Sequence, residues 1–291
     1  MPDAETTQQV TTDAKPFGDI DGGCDCHAHM IGYDPRFPLS SSRAEDPEQG
    51  SLHYWLDQYR THLRSLGLSR GVIVHSMLYG LDNSITAEAL RQLGQTNFRA
   101  IGLVDNEVSE AQLDKMAQDG FKGVRLNYVH GGTLDWRGTQ ALAPRLRARG
   151  MHVQILLHSH KHMTEIAPAL KQLECDTVID HMGWPDMAAG PNEAGFSQLL
   201  SLLADDCVWL KLSGVYRFSE SPFSEADSFV RAALAVNPTR CIWGSDWPFI
   251  MLGGANQPRV PDLSAALLRA IPEHKLQQAI LQTNPTELFS F

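Results

Sequence analysis

Eight short apolar runs alternate with longer amphipathic segments along the chain, and this alternation constrains the fold more than any other feature. The runs are rich in Val, Ile and Leu, which is typical of strands covered on both faces. They lie at Gly23–His29, Gly71–Ser76, Arg99–Val104, Gly123–Asn127, His152–His158, Thr177–Asp180, Val208–Leu212 and Cys241–Gly244. Eight strand-and-helix repeats predict a closed parallel sheet, that is, a single (β/α)8 TIM barrel of the α/β class.

The segments between the runs have apolar residues at helical spacing. Leu52, Trp55, Leu56 and Tyr59 are one such series, and a second follows the polar start at Asn192. The first residues of the chain are polar and have no apolar stretch. We therefore expect residues 1–18 to form a disordered tail and residues 19–291 to form the barrel.

Composition excludes several classes of partner. The chain has 291 residues, of which 43% are hydrophobic, enough for a sizeable core, and its formal net charge is −10. An acidic chain without a basic run is a poor ligand for nucleic acid or an anionic membrane. No segment approaches the roughly 20 apolar residues of a membrane span. We expect a small-molecule partner, and association into a homo-oligomer is compatible with the sequence.

The cysteines indicate the compartment. There are five of them, and Cys24 and Cys26 are separated by a single residue, which is too close for an ordinary disulfide. Most of them lie in or beside apolar runs, as buried reduced thiols do. Reduced thiols predict a cytoplasmic location.

Polar side chains stand where the predicted strands end. In a (β/α)8 barrel, the reacting groups come from the C-terminal ends of several strands. The residues at these positions are His27, His29, His75, Ser76, Arg125, Asn127, His158, His160, His181, Lys211, Ser213 and Asp246.

The strongest signal is the pair His27 and His29. Alternation along a strand directs both rings to one side, so they could chelate a cation or hydrogen-bond one substrate oxygen. Asp246 leaves a buried strand and must be paired, coordinated or hydrogen-bonded. Asp180, next to His181, is a candidate for orienting a neighbouring histidine.

Two arginines and a further histidine complete the candidate set. Arg125 requires an anion, either a substrate or a protein carboxylate, and Asn127 on the same strand face is a further candidate substrate contact. Arg217 is a second candidate anion clamp, with a surface salt bridge as the alternative. His158 has the strand parity of Gln154, so we expect it to be a third imidazole ligand.

Several motifs together resemble the amidohydrolase superfamily, in the amidohydrolase-2 branch that contains 2-pyrone-4,6-dicarboxylate lactonase. The resemblance covers roughly residues 20–291. The motifs are Asp25-Cys26-His27-Ala28-His29, Tyr79-Gly80-Leu81-Asp82-Asn83, Val124-Arg125-Leu126-Asn127, Ile179-Asp180-His181-Met182-Gly183-Trp184-Pro185-Asp186, Trp243-Gly244-Ser245-Asp246-Trp247-Pro248 and Thr283-Asn284-Pro285-Thr286-Glu287-Leu288-Phe289.

The resemblance implies roles for these residues. Asp246 would be the general base that activates water. His27, His29 and His181 would polarise a lactone carbonyl, directly or through a metal. Arg125 and Arg217 would bind substrate carboxylates, with Ser76 as a further substrate contact.

The sequence also departs from the lactonase pattern. Trp184 stands where that pattern has arginine, Phe249 stands where histidine is usual, and His130-Gly131-Gly132 replaces an additional arginine. The predicted pocket thereby loses positive charge and gains aromatic area, with Trp184 as a substrate contact. A mono-anionic lactone, a muconolactone-type ring (sulfonated rings included) or a sugar-acid lactone then fits as well as a pyrone dicarboxylate.

The chemistry of the site leaves two arrangements open. His27, His29, His158 and Asp246 could hold one divalent cation, for which zinc is the first choice. Alternatively, the imidazoles and the carboxylate could act without metal. We expect a hydrolase that opens a small anionic lactone. The alternatives are a zinc-dependent non-oxidative decarboxylase, a lactone isomerase and a barrel that only binds.

Overall fold

The computed structural model describes residues 15–18, 20–252 and 256–291. Eight parallel strands pair in chain order, which confirms the predicted (β/α)8 barrel. The strands are β1 Cys24–Ala28, β2 Arg70–Val74, β3 Phe98–Gly102, β4 Phe121–Asn127, β5 His152–Leu156, β6 Thr177–Ile179, β7 Trp209–Leu212 and β8 Cys241–Trp243. Backbone hydrogen bonds of 2.8 Å from Asp246 N to His27 O and from His29 N to Trp247 O join the end of the sheet to its beginning.

Helices cover the outside of the barrel between the strands. They are α1 Leu52–Leu66, α2 Ser84–Leu93, α3 Glu110–Gln118, α4 Trp136–Arg147, α5 Ser159–Leu170, α6 Ala194–Ala204, α7 Asp227–Val236, α8 Val260–Ala270, α9 His274–Gln278 and α10 Asn284–Phe289. Single helical turns lie at Met77–Tyr79, His181–Gly183, Val215–Arg217, Ser224–Ala226, Pro238–Arg240 and Ala279–Thr283.

Local sequence explains where α1 begins and ends. The Ser51 side chain accepts a hydrogen bond from the backbone N–H of Tyr54, as an N-cap does. Gly67 ends the helix with a φ of 82°, and its N–H bonds the carbonyl of Arg64. The apolar face predicted from helical spacing is buried against the sheet.

The interior of the barrel is filled by side chains from alternating strand positions. Cys24 and Cys26 lie there, and Phe289 of α10 packs against them at the N-terminal end of the strands. All five cysteines are free thiols, three of them buried. The thiols are therefore packing groups in this structure.

The N-terminal segment meets the barrel earlier than residue 19. Residues 1–14 of the predicted tail lie outside the described residues. Phe17 is only 4% exposed, its ring centroid lies 5.0 Å from that of Trp243, and its N–H bonds Leu66 O. In the part of the chain that the structure describes, no helix has the length and apolar character needed to cross a membrane.

Candidate active site

Three histidines converge on Asp246 at the C-terminal ends of the strands. The register of β1 shifts between Asp25 and Ala28, and this irregularity lies where His27 turns inward. His27 Nε2 and His29 Nε2 lie 3.5 and 3.3 Å from Asp246 Oδ1, and His181 Nε2 lies 3.7 Å from Oδ2. The structure thus brings together the groups that the sequence placed far apart.

The backbone around this cluster is strained. His181 has a φ of 51°, Trp184 a φ of 39° and Asp246 a φ of 64°, all in the left-handed region that non-glycine residues rarely adopt. Such residues cluster at active sites and ligand clamps. The strain fixes the directions of the His181 and Asp246 side chains.

Asp246 is held as a carboxylate. Its Oδ2 accepts hydrogen bonds of 2.8 Å from Tyr216 Oη and Arg217 Nε. Burial raises the pKa of Asp246, but the nearby Arg217 and His181 outweigh that effect and hold the pKa well below its usual range. Burial and the Asp246 charge also raise the pKa of Tyr216, so its hydroxyl stays protonated and donates.

Two buried polar atoms at the cluster have no hydrogen-bond partner among the described residues: His27 Nε2 and Asp246 Oδ1. His29 Nδ1 lies 2.8 Å from Val74 O, which can only accept, so the ring proton sits on Nδ1. In the neutral ring, His29 Nε2 then turns a lone pair towards Asp246 Oδ1. Two facing acceptors need a proton or a cation between them, so His27, His29 and Asp246 fit one divalent cation.

Lys211 is a buried cation to which the sequence analysis gave no role. Its Nζ lies 2.8 Å from Gln154 Oε1, 3.0 Å from Asp180 Oδ1 and 3.2 Å from His27 Nδ1. The ammonium can only donate, so His27 Nδ1 accepts from it, which places the His27 ring proton on Nε2. For Nε2 to bind a cation, that proton must move to Nδ1, where Asp180 Oδ1 lies 3.5 Å away.

Asp180 is the partner of Arg125. Asp180 Oδ2 accepts hydrogen bonds of 2.9 Å from Arg125 Nε and from Gln154 Nε2. Burial alone would raise the pKa of Asp180, but Lys211 and Arg125 hold it well below its usual range. Of the two partners that the sequence left open for Arg125, the structure thus shows the protein carboxylate.

Arg217 is a buried group of the site. Its side chain is 7% exposed, and it donates to Asp246 and to the carbonyls of Ile250 and Met251. The surface salt bridge considered for Arg217 is therefore wrong. Its guanidinium carbon lies 5.9 Å from the ring centroid of Trp184.

The predicted substrate contacts line one small cavity above the cluster. Ser76, Asn127 and Trp184 lie there with Arg125 and Arg217. Two of them already have local hydrogen bonds. The Ser76 hydroxyl accepts from Leu78 N, and Asn127 Oδ1 accepts from Val129 N and His130 N. Their roles in substrate binding stay predictions.

His158 is not brought to the metal-ligand cluster, contrary to the sequence prediction. Strand β5 ends at Leu156, so the parity argument stops before His158, which is the N-cap of α5. The centroid of its ring lies 5.1 Å from the ring centroid of Trp184 and 5.4 Å from that of His160. Among the described residues, His158 belongs to neither possible metal group, whereas His181 joins His27 and Asp180 in the second one.

Comparison with known proteins assigns the class to which this barrel and site belong. The family model described as Amidohydrolase (Amidohydro_2) matches residues 24–291. The chain therefore belongs to the amidohydrolase family, as the motifs at the strand ends predicted.

Two relatives of the chain are named as enzymes that act on lactones. The chain is 31% identical over 281 residues to a 4-sulfomuconolactone hydrolase of Rhizobium radiobacter, covering 92% of this chain and 90% of that protein. It is 25% identical over 279 residues to a D-galactarolactone isomerase of Agrobacterium fabrum, covering 95% and 92%.

A solved structure shows the same fold. It is a protein of Acinetobacter baumannii described as a probable 2-pyrone-4,6-dicarboxylic acid hydrolase with citric acid bound. It superposes with a TM-score of 0.80 at 24% identity and covers 93% of this chain and 100% of that one.

Proposed function

We propose that this protein hydrolyses a small anionic lactone with water activated by Asp246. The observation that carries the proposal is the convergence of an ionised, buried carboxylate and three imidazoles within 3.7 Å of it. Arg125 and Arg217 line the same cavity and are suited to orient an anion. The relatives named as acting on lactones support the same class of substrate.

Side chains of this protein can supply both the base and the hydrogen-bond donors that lactone hydrolysis requires. Asp246 takes a proton from water, and the hydroxide adds to the lactone carbonyl carbon. The tetrahedral oxyanion is stabilised by imidazole N–H groups and by the guanidinium of Arg217. Burial lowers the pKa of His181 to about 3, so this ring is neutral at pH 7 and one of its nitrogens donates. The ring C–O bond then breaks, and the leaving oxygen takes the proton from Asp246.

The donor set also supports one bound divalent cation, for which we propose zinc. His27, His29 and Asp246 would hold it, with His181 beside them in place of the predicted His158. When bound, zinc supplies Lewis acidity to the carbonyl and lowers the pKa of water. Metal analysis of the purified protein with a chelator test decides this point. Bound zinc with chelator-sensitive hydrolysis supports the cation, and full activity of metal-free protein assigns the electrophile to the imidazoles.

Charge balance favours a substrate with one anionic substituent. The buried cations that line or support the cavity are Arg125, Arg217 and Lys211, and the buried carboxylates paired with them are Asp180 and Asp246. With neutral histidines and no bound metal, these five groups together carry one surplus positive charge. A carboxylate or sulfonate on the lactone would complete the balance, whereas a dianion would leave one charge unpaired in a buried cavity.

Replacing Asp246 by asparagine tests the assigned base. Asn tolerates the left-handed backbone at this position and keeps the side-chain shape. Loss of a general base typically lowers kcat by about 100- to 10,000-fold. We expect this loss on a panel of anionic lactones, measured as acid release, with an unchanged circular dichroism spectrum. Near-normal turnover would refute the role of Asp246.

Product analysis distinguishes hydrolysis from lactone isomerisation and from decarboxylation. In water enriched in oxygen-18, a hydrolase places one labelled atom in the new carboxylate. A lactone isomerase, which the similarity to the galactarolactone enzyme keeps as the second candidate, converts lactone to lactone without uptake of label. A decarboxylase would release carbon dioxide. Either of these two results would replace the hydrolase assignment.

A further inference from the structure

A second cavity lies directly beside the catalytic one. The cavity above Asp246 has a volume of about 30 Å³, and its neighbour has about 440 Å³. By this measure the smaller space holds about two waters, whereas ligand pockets span about 300–1,000 Å³. The two cavities share Met77, Arg125, Asn127, His130 and Met251 as walls. The smaller space has room for the reacting carbonyl group, so the rest of a lactone bound above Asp246 would extend into the larger cavity.

The larger cavity is apolar. Its walls beyond the shared residues include Leu78, Leu81, Leu103, Val104 and Leu134. Leu81 is 41% exposed although it is a large hydrophobic side chain. An apolar wall that meets water is a recurrent property of small-molecule sites, which bury the apolar part of their ligand.

The charged groups that line this cavity are already neutralised by protein carboxylates. Arg43 Nε lies 2.6 Å from Asp46 Oδ1, and Arg125 is paired with Asp180 at 2.9 Å. A second anionic group placed in this space would find both cations shared. An uncharged substituent would meet no such competition.

Two glycines keep one side of the cavity open. A Cβ added to Gly131 or Gly132 would meet no heavy atom within 4 Å. Gly131 has a φ of 74°, so a side chain there would strain the backbone, but no positive φ occurs at Gly132. Gly132 is therefore a position where a side chain can fill the space without a backbone penalty.

We propose that this second cavity is a subsite for an apolar or aromatic substituent of the lactone. The proposal rests on the lactone hydrolase function and names its substrate class: lactones with one anionic group and one bulky uncharged group. The anionic group lies near Arg125 and Arg217, the carbonyl near Asp246, and the bulky group between Leu81 and Gly132. The size and polarity of this cavity decide which lactones are good substrates.

The test compares two lactones that differ only in the bulky group. One is a butenolide that carries an anionic carboxymethyl group, and the other is the same compound with an additional phenyl substituent on the ring. We expect the wild-type enzyme to have the higher kcat/KM for the phenyl compound. Gly132→Phe should lower the ratio of the two kcat/KM values at least tenfold, because the new ring occupies the subsite.

Two further variants separate polarity from volume. Leu81→Asn should lower the same ratio several-fold because it makes the wall polar. Val236→Asn is the matched control, since Val236 is an equally exposed apolar side chain (40%) on α7, and it should leave both kcat/KM values unchanged. Circular dichroism and thermal melting confirm folding of each variant.

Failure of the subsite and failure of the hydrolase function give different results in this test. If both lactones are hydrolysed but the ratio is the same in wild type and Gly132→Phe, the subsite is refuted and the hydrolase function stands. If neither lactone is hydrolysed or bound, the proposed function fails and the subsite fails with it.

Discussion

At the scale of single residues, the buried charged side chains of the site form ion pairs that stabilise the fold, and several of them also line the reaction site. Asp246 binds Tyr216 and Arg217 while facing the imidazoles, and Asp180 binds Arg125 and Lys211. Removing one partner of a buried ion pair leaves the other charge uncompensated. Substitutions here must therefore be assessed for stability as well as activity.

Replacing Lys211 by methionine should destabilise the fold strongly. The variant keeps the side-chain length but leaves Asp180, Gln154 and His27 without their common donor. Breaking a buried ion pair lowers the free energy of unfolding by about 3–5 kcal/mol. Urea unfolding at pH 7 measures this change. Lys115→Met, at an exposed ion pair of α3, is the control and should unfold almost as wild type does; a similar loss in both variants would contradict the prediction.

Replacing Arg125 by methionine should act mainly on anionic substrates. Asp180 retains Lys211 and Gln154, so the carboxylate is still partnered. The cavity, however, loses its surplus positive charge. We expect KM to rise at least tenfold for anionic lactones and much less for neutral ones, measured by steady-state kinetics. An equal rise for both would assign a structural role to Arg125.

At the scale of elements, close packing between strand ends positions the histidines. A Cβ on Gly214, which follows β7, would lie 2.6 Å from His181 Nδ1. A Cβ on Gly244, which follows β8, would lie 2.6 Å from the Cβ of His27. Glycine at these strand ends lets neighbouring elements approach closely enough for the rings to converge.

Gly214→Ala tests this packing. Gly214 has a φ of 67°, and Gly190, with a φ of 74° and no neighbour within 4 Å of an added Cβ, provides a control with the same backbone strain. Gly214→Ala should lower kcat/KM more than tenfold because it displaces His181. Gly190→Ala should lose only stability. Equal kinetics for the two variants would show that His181 does not depend on this contact.

At the scale of the whole molecule, buried neutral histidines make stability depend on pH. Burial lowers the pKa of His75 to about 4 and of His152 to about 3, and His181 has a pKa of about 3. The unfolded chain protonates these rings near pH 6.5, so it binds more protons than the folded chain below that pH.

Stability should therefore fall as the pH drops from 7 to 5. Below about pH 6.5, the free energy of unfolding should decrease by up to about 1.4 kcal/mol per pH unit for each such histidine. The lowered pKa values of Asp180 and Asp246 add a further loss only below about pH 4, and in the same direction. Urea unfolding midpoints across pH 5–7 measure the slope. A flat profile would contradict neutral burial of these rings.

The sequence by itself determined the barrel, the order of its strands and the residues at their ends. These features follow from local apolar spacing and from the rule that parallel strands end on one face, and the structure reproduces the predicted strands within a few residues. Local pattern also selected His27, His29, His181 and Asp246, because polar groups at the ends of buried strands require a partner.

Tertiary structure decided which of these groups meet. Three contacts join residues that are far apart in the sequence, and no local pattern encodes them. They are the ion pair of Arg125 with Asp180, the contact of Lys211 with His27, and the hydrogen bond from Tyr216 to Asp246. The exclusion of His158 depends on where β5 ends, because side-chain alternation holds only while the backbone stays extended. The shape of the cavities likewise follows only from how loops of different strands pack together.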